Sequence, residues 1–235
     1  MSAAELPPAD VSVPFARVGT LVRQLTHDVR NGLNAMELQG AFVADLLSDP
    51  EDEAEARVAL KRLRGMISEN ARMLQRFAAR FRIPTPSPVR YPARDFIEDF
   101  RRGLEKTPPE NAPQVAWTDD LGDEAIALDV VMIFAALGEI FQNAAHFREG
   151  DAPVAAHVSA EAGRLRIELR ERREAVAPAP ETWGREPLVS TRRGGYGLGL
   201  FHARQLLAAH GGVLEFSHDP SAALLTTRIF LPLAA

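Results

Sequence analysis

The chain of 235 residues is long enough for one large domain or two small ones, and it carries a net charge of −5 at pH 7. This charge excludes the basic surplus typical of nucleic-acid-binding proteins, and the absence of cysteine excludes disulfides, thiolate nucleophiles and cysteine-ligated zinc. The first ten residues do not resemble a secretory signal, and the most apolar stretch, residues 125–138, is shorter than the roughly 20 residues that span a bilayer. We therefore expect a cytoplasmic protein with no membrane span and no nucleic-acid partner.

Two long helices are predicted first. Apolar residues recur at steps of three or four from Val18 to Leu47 and again from Leu60 to Phe81, which is typical of helices that pack along their length. An Asp-Pro pair at residues 49–50 interrupts the pattern, and the acidic run that follows it suits a helix N-terminus. The two helices therefore form a hairpin. Because one hairpin buries little apolar surface, we expect two copies to pair as a homodimeric four-helix bundle.

A histidine stands in the middle of the first predicted helix. His27 lies between the apolar positions Leu25 and Val29, so its side chain is expected to point away from the packed face. A lone histidine at such a position is most simply a solvated surface residue, but its neighbours suit phosphoryl chemistry. Asp28 can accept a proton from one imidazole nitrogen and leave the other free to attack. Asn31 follows one turn later on the same helical face.

A proline-rich stretch separates the hairpin from the rest of the chain. Each proline removes a backbone donor and disfavours helix in the residue before it, so residues 84–90 are predicted to form a stiff linker. Beyond it, helices and strands mix, which favours an α/β sandwich. We expect helices at about residues 94–106, 129–147 and 198–210, and strands near 115–117 and at 154–160, 164–170, 213–217 and 223–231. The predicted organisation is a disordered segment at 1–15, the hairpin at 16–83, the linker at 84–90 and the α/β domain at 91–235.

Two patterns in the second half suit a bound phosphate. Glycines 194, 195, 197 and 199 precede a predicted helix, and backbone amides at such a helix start can hold phosphate oxygens. Taken alone, the segment is equally a glycine-rich turn that opens a helix. Earlier in the chain, Glu139 and Asn143 lie on one predicted helical face, and a carboxylate and an amide suit Mg²⁺ and its waters.

Together these segments resemble sensor histidine kinases. Residues 27–33 are similar to the H-box of that family and differ from it at Gly32, where the family has proline. Residues 139–144 resemble the N-box of GHKL ATPases, and residues 186–199 resemble their lid segment and G2 box. The resemblance implies an α+β fold, in which a helical hairpin that dimerises into a four-helix bundle is followed by a GHKL (Bergerat-type) α/β sandwich.

The resemblance also implies roles and partners. It makes His27 the phosphoryl carrier, Asp28 its base and Asn31 the residue that serves phosphatase activity. It implies ATP and Mg²⁺ as cofactors, the receiver domain of a response regulator as phosphoryl acceptor, and a separate sensor or input protein. The residues that it assigns to ATP are Glu139, Asn143, His146, Thr191, Arg192, Gly195, Gly197, Leu198 and Gly199, with Asn143 as the metal ligand.

One segment departs from the family pattern. Where the family has an Asp-x-Gly-x-Gly segment that holds adenine, this chain has Glu171, Arg173 and Ala175 at the acid and the two glycines. An arginine there competes with the base for its pocket, and His146 replaces the usual cation after the N-box asparagine. Three functions therefore stay open. The preferred one is an ATP-dependent histidine kinase, and the alternatives are a histidine phosphotransferase that does not bind ATP and a non-enzymatic dimeric scaffold.

Overall fold

A computed structural model describes residues 12–106, 114–150, 152–192 and 195–234. The chain divides into two compact units, one over residues 12–82 and the other from residue 83 onward. Of the segment predicted to be disordered, residues 1–11 lie outside the described residues, and Phe15 is already helical. The expected architecture, a helical hairpin followed by a mixed helix-and-sheet domain, is confirmed.

The first unit is an antiparallel pair of helices. Helix α1 runs over Phe15–Leu46 and helix α2 over Glu53–Ala79, joined through a 3₁₀ turn at Pro50–Asp52. The Asp49 carboxylate accepts a hydrogen bond from the Glu51 backbone N–H at 2.9 Å, which caps the turn as an Asp before a helix start does. The interruption predicted at residues 49–50 is therefore the hairpin turn.

Within a single hairpin, only the turn end is buried. Val43 and Leu46 of α1 pack against Ala56 and Ala59 of α2, where small alanines allow the helices to approach closely. The Gln39 amide donates to the Ala59 carbonyl at 3.3 Å and fixes the register there. Many large apolar residues of the two helices, half of the stripe among them, remain exposed. They are Val18, Val22, Leu33, Leu38, Phe42, Leu47, Val58, Leu60, Ile67, Leu74 and Phe81.

The second unit contains two sheets and three helices. Its elements are β1 (Val89–Pro92), α3 (Ala93–Glu105), β2 (Val115–Asp120), β3 (Ala125–Leu128), α4 (Val130–Phe147), β4 (Val154–Glu161), β5 (Arg164–Arg172), α5 (Gly199–Ala209), β6 (Val213–Asp219) and β7 (Leu224–Pro232). The larger sheet has the order β2-β4-β5-β7-β6, with β2 parallel to β4 and the other pairs antiparallel. A further 3₁₀ turn lies at Pro180–Thr182.

One core joins the sheet to the three helices. Alternate residues of β5, Leu165, Ile167 and Leu169, are buried, as expected for a strand with one face on a core. They share the core with apolar residues of α3, α4 and α5. Helix α4 has the length and hydropathy of a membrane span, but its apolar residues pack in this core, which accounts for its composition.

The small sheet corrects the predicted linker. Val89 and Arg90 were assigned to the linker at 84–90, but they belong to β1, which pairs with β3 in an antiparallel two-stranded sheet. Both strands have four residues, and β1 ends in proline. Strands this short carry too little alternation to be recognised without their partner.

Candidate functional site

The first candidate group lies in the middle of α1. The His27 side chain is 71% exposed, and two neighbours contact its ring. Asp28 Oδ1 lies 3.3 Å from His27 Nδ1. Asn31 Nδ2 lies 3.3 Å from Nδ1 and 3.4 Å from Nε2. All three residues stand on one helix within about one turn, so helical geometry alone brings them together. The structure therefore brings together the three residues predicted for this site.

Gly32 departs from the family's proline, and the structure supplies a reason. Helix α1 continues through Gly32 without a break in its helical assignment. A Cβ atom at residue 32 would lie 2.8 Å from Nδ2 and 3.2 Å from Cγ of Asn70 on α2. A side chain at residue 32 would therefore require the Asn70 amide to shift. Asn70 is a polar residue at an apolar stripe position of α2, a signal that could have marked it in the sequence.

The second candidate group surrounds the glycine-rich loop, residues 195–199, at the start of α5. Gly197 has φ +68°, and its carbonyl accepts a hydrogen bond from the Leu188 N–H at 2.9 Å. A Cβ atom at Gly197 would lie 2.5 Å from the Val189 nitrogen. The lid segment therefore packs directly on the loop, and only glycine fits between them.

Helices α4 and α5 meet at a second close approach. A Cβ atom at Gly199 would lie 2.5 Å from Oε2 of Glu139, so the first turn of α5 lies on the N-box carboxylate. Asn143 is half-buried one turn further along α4. The predicted proximity of Glu139 to the glycine loop is thus present, and the loop amides lie next to α4.

The remaining predicted ligands differ in exposure. Thr191 and Arg192 are exposed in the lid segment, whereas Leu198 is buried and can offer a ligand only its backbone. Desolvation, together with the nearby Arg192 and Arg173 charges, lowers the pKa of His146. His146 is therefore mostly neutral at pH 7 and is a poor substitute for the cation that the family has at this position.

The predicted Mg²⁺ site has few protein ligands. Among the described residues, no three histidine, aspartate or glutamate side chains converge in a metal-binding cluster. A Mg²⁺ ion at this place would depend on the Asn143 oxygen and on phosphate oxygens, which is the coordination that Mg²⁺ commonly adopts with nucleotides. Arg193 and Gly194 of the same loop lie outside the described residues.

The segment that departs from the family lies at the end of β5. Glu171 and Arg173 are both buried, with exposed fractions of 5% and 6%. Arg173 Nε lies 3.7 Å from Glu171 Oε2, and the guanidinium carbon lies 4.9 Å from the centre of the Phe147 ring at the end of α4. Burial raises the pKa of Glu171 to about 7, even though the Arg173 charge opposes the shift.

The two halves of the expected nucleotide site differ in the chemical groups that they present. The loop amides, Asn143 and Arg192 suit phosphate oxygens and a cation. At the other end, Arg173 stands where the family's first glycine leaves space beside the base, and its side chain is packed on Phe147. This half of the site therefore holds a buried cation packed on an aromatic ring. Phe147 had no distinguishing signal in the sequence, because its role depends on the fold.

We compared this architecture with known proteins and solved structures. No protein-family model and no curated protein matches the chain. Among solved structures, the Acinetobacter baumannii histidine kinase AdeS is 13% identical, with a TM-score of 0.56, and the match covers 89% of this chain and 98% of AdeS. The histidine kinase ThkA in complex with the response regulator TrrA is 14% identical, with a TM-score of 0.58 and coverage of 93% and 62%. This chain has the sensor histidine kinase fold.

A third structure gives the same result. Full-length ShkA in complex with AMPPNP is 21% identical, with a TM-score of 0.58, and the match covers 91% of this chain and 46% of ShkA. The chain thus spans about half of ShkA, about three fifths of ThkA and nearly all of the AdeS structure. The histidine kinase fold covers the hairpin and the α/β domain together, as the resemblance of the short motifs implies.

Proposed function

We propose that this chain is a two-component phosphotransfer protein in which His27 takes up a phosphoryl group and passes it to an aspartate of a receiver domain. The observation that carries the proposal is the exposed imidazole of His27, contacted by Asp28 and Asn31 on one helical face. An exposed histidine can reach the active site of a second protein, which a buried one cannot. The histidine kinase fold supports the same assignment.

The neighbouring groups determine which imidazole nitrogen reacts. With the proton on Nδ1, the Asp28 carboxylate accepts a hydrogen bond from Nδ1–H across 3.3 Å. Nε2 then keeps its lone pair, and the Asn31 amide Nδ2, 3.4 Å away, must move aside for attack. Nε2 then attacks phosphorus, a P–N bond forms, and the P–O bond to the donor breaks. Asp28 stabilises the imidazolium as its charge develops. Asn31 is the residue that we assign to orienting a water when the receiver phosphate is hydrolysed.

The exposed stripe supports a homodimer. Large apolar residues such as Val22, Leu33 and Ile67 are about half exposed in one hairpin, although their spacing is that of a packed helix. A second hairpin in a four-helix bundle would cover them. Each exposed face of that bundle would carry one His27, within reach of a receiver domain, and the bundle would respond to a separate input protein.

A second candidate function is autophosphorylation of His27 from ATP. The observation that favours it is the glycine loop, packed by its lid and lying on Glu139 at the start of α5. Under this function the phosphate half of the site is used, with Asn143 as the Mg²⁺ ligand. The two functions differ in the phosphoryl donor and agree on His27.

Transfer of a labelled phosphoryl group tests the proposal. Purified receiver domains charged with labelled acetyl phosphate are mixed with the full chain, and parallel samples receive labelled ATP with Mg²⁺. We expect an acid-labile, base-stable label on the chain from at least one donor. The label should be lost in His27→Gln and kept in the control variant His157→Gln, which changes a histidine on β4. A label that survives His27→Gln would contradict the proposal.

A further inference from the structure

Strand β5 presents a buried face that ends in two charged residues. Ile167 and Leu169 point into the core, and the alternation of the strand brings Glu171 and then Arg173 onto the same face. The Arg173 N–H donates to the Ala223 carbonyl at 2.8 Å, which continues the pairing of β5 beyond its last residue. The backbone therefore directs the Arg173 side chain inward, beside the helices.

Three neighbours hold Arg173 in this position. The guanidinium packs on the Phe147 ring at 4.9 Å, within the range of a cation–π contact. Its Nε faces Glu171 Oε2 across 3.7 Å. Behind it, His218 Nε2 lies 2.8 Å from the Arg173 carbonyl oxygen, and in the Nε2–H tautomer it donates to that oxygen. A side chain with this support does not behave as a mobile surface arginine.

The pair is costly as a purely structural element. Arg173 Nε and Glu171 Oε2 are buried and have no hydrogen-bond partner among the described residues. A buried ion pair of this kind contributes less to stability than apolar packing of the same volume. Burial also lowers the pKa of Arg173 and raises that of Glu171. Its clearest effect is steric, because the side chain fills space that a glycine at residue 173 would leave open.

We propose that Arg173 is an internal plug of the base half of the nucleotide site, so that the domain does not hold ATP and His27 receives its phosphoryl group from a receiver aspartyl phosphate. The second part rests on the function proposed above. The plug sets a buried cation where a planar purine needs space and an acceptor. Glu171, the acid at the position of the family's aspartate, faces Arg173 instead.

The loading step needs no nucleotide. His27 Nε2 attacks the phosphorus of a receiver aspartyl phosphate, forming the P–N bond while the P–O bond to the aspartate breaks. The aspartate leaves as a carboxylate, and the Nδ1 proton stays hydrogen-bonded to Asp28 until it is released to solvent. The reverse reaction passes the group to a second receiver. The chain would then connect two receiver domains.

Opening the plug is the most direct test. The full chain is titrated with MgATP by calorimetry as wild type, Arg173→Gly, and the double variant Arg173→Gly with Ala175→Gly. The control is Arg172→Gly, which changes an exposed neighbour that pairs with the exposed Glu174. If the plugged state is populated about 99:1, its removal raises the apparent affinity about 100-fold. We expect no saturation for the wild type and the control, and saturable binding for at least one plug variant.

Two results would overturn the plug. One is saturable, micromolar ATP binding by the wild type. The other is a folded Arg173→Gly protein, and a folded double variant, that bind ATP no better than the wild type. Thermal melting checks folding, and Arg173→Ala replaces the glycine variant if that variant melts early. The wild-type titration remains a valid test even if the variants are unstable, because it requires no substitution.

The same preparations separate the plug from the proposed function. Transfer from a charged receiver to wild-type His27 without ATP binding supports both. Transfer together with tight ATP binding overturns the plug and leaves the phosphotransfer function intact. Absence of both transfer and ATP binding overturns the phosphotransfer function and leaves the plug. Titration with GTP in parallel shows whether the glycine variants gain a purine site in general or an adenine site in particular.

Discussion

At the scale of single residues, the two candidate groups differ in how far the sequence could predict them. His27, Asp28 and Asn31 stand on one helix, so their spacing along the chain determines their spacing in space. The pair of Glu171 and Arg173 was recognised as a departure from the family. Its burial against Phe147 depends on how β5 and α4 pack, and no local pattern encodes that.

Glu171 makes the stability of the second unit depend on pH. Its pKa is raised to about 7 in the folded protein, so the folded state binds a proton more tightly than the unfolded state does. The free energy of unfolding should therefore fall as pH rises from about 4.5 to about 7, by on the order of 3 kcal/mol for this group alone. In Glu171→Gln this part of the pH dependence should be lost.

Urea unfolding followed by tryptophan fluorescence measures this effect. Both tryptophans, Trp117 and Trp183, lie in the second unit, so the signal reports that unit. Glu174 is an exposed neighbour, so Glu174→Gln serves as control. Its free energy of unfolding should depend on pH as in the wild type. If the free energy of unfolding of Glu171→Gln depends on pH as in the wild type, another group titrates over this range.

At the scale of elements, long periodic segments were predictable and short ones were not. Helices α1 and α2 and strands β4 to β7 carry enough repeats of their period to be recognised from the sequence. Strands β1 and β3 have four residues each and are stabilised by pairing with a partner distant in the chain. Their existence therefore follows from tertiary structure, and residues 89–90 were assigned to a linker for this reason.

The contact of Gly32 with Asn70 predicts a measurable coupling between α1 and α2. Replacing a helical glycine by alanine stabilises a helix by up to about 1 kcal/mol. At residue 32 the added Cβ meets the Asn70 amide, so Gly32→Ala should stabilise the hairpin less in the wild type than in an Asn70→Ala background. Gly32→Pro should destabilise it by about 3 kcal/mol or more in both.

Thermal unfolding followed by far-ultraviolet circular dichroism tests the coupling. Gly65→Ala is the matched control, because no atom lies within 4 Å of the added Cβ. It should be equally stabilising in both backgrounds. Additivity of the Gly32→Ala and Asn70→Ala effects would mean that the amide does not restrict residue 32 in solution.

At the scale of the whole molecule, the exposed stripe predicts the oligomeric state. A chain of 25.7 kDa should elute with twice that mass in light scattering, because the stripe of α1 and α2 needs a partner. Ile67→Asp places a charge in the stripe and should shift the mass toward the monomer. Arg64→Asp changes an exposed charge on the same helix and should leave a dimer. A wild type that stays monomeric at high concentration would contradict the bundle.

Mapping the modified residue shows whether His27 carries the phosphoryl group. The chain is phosphorylated by a charged receiver domain, digested at neutral pH and analysed by mass spectrometry. Of its six histidines, only His27 should carry the group. We expect an intact phosphohistidine in the peptide that contains His27, with Asp28 and Asn31 unmodified. Phosphorylation of any other histidine, with His27 unmodified, would contradict it.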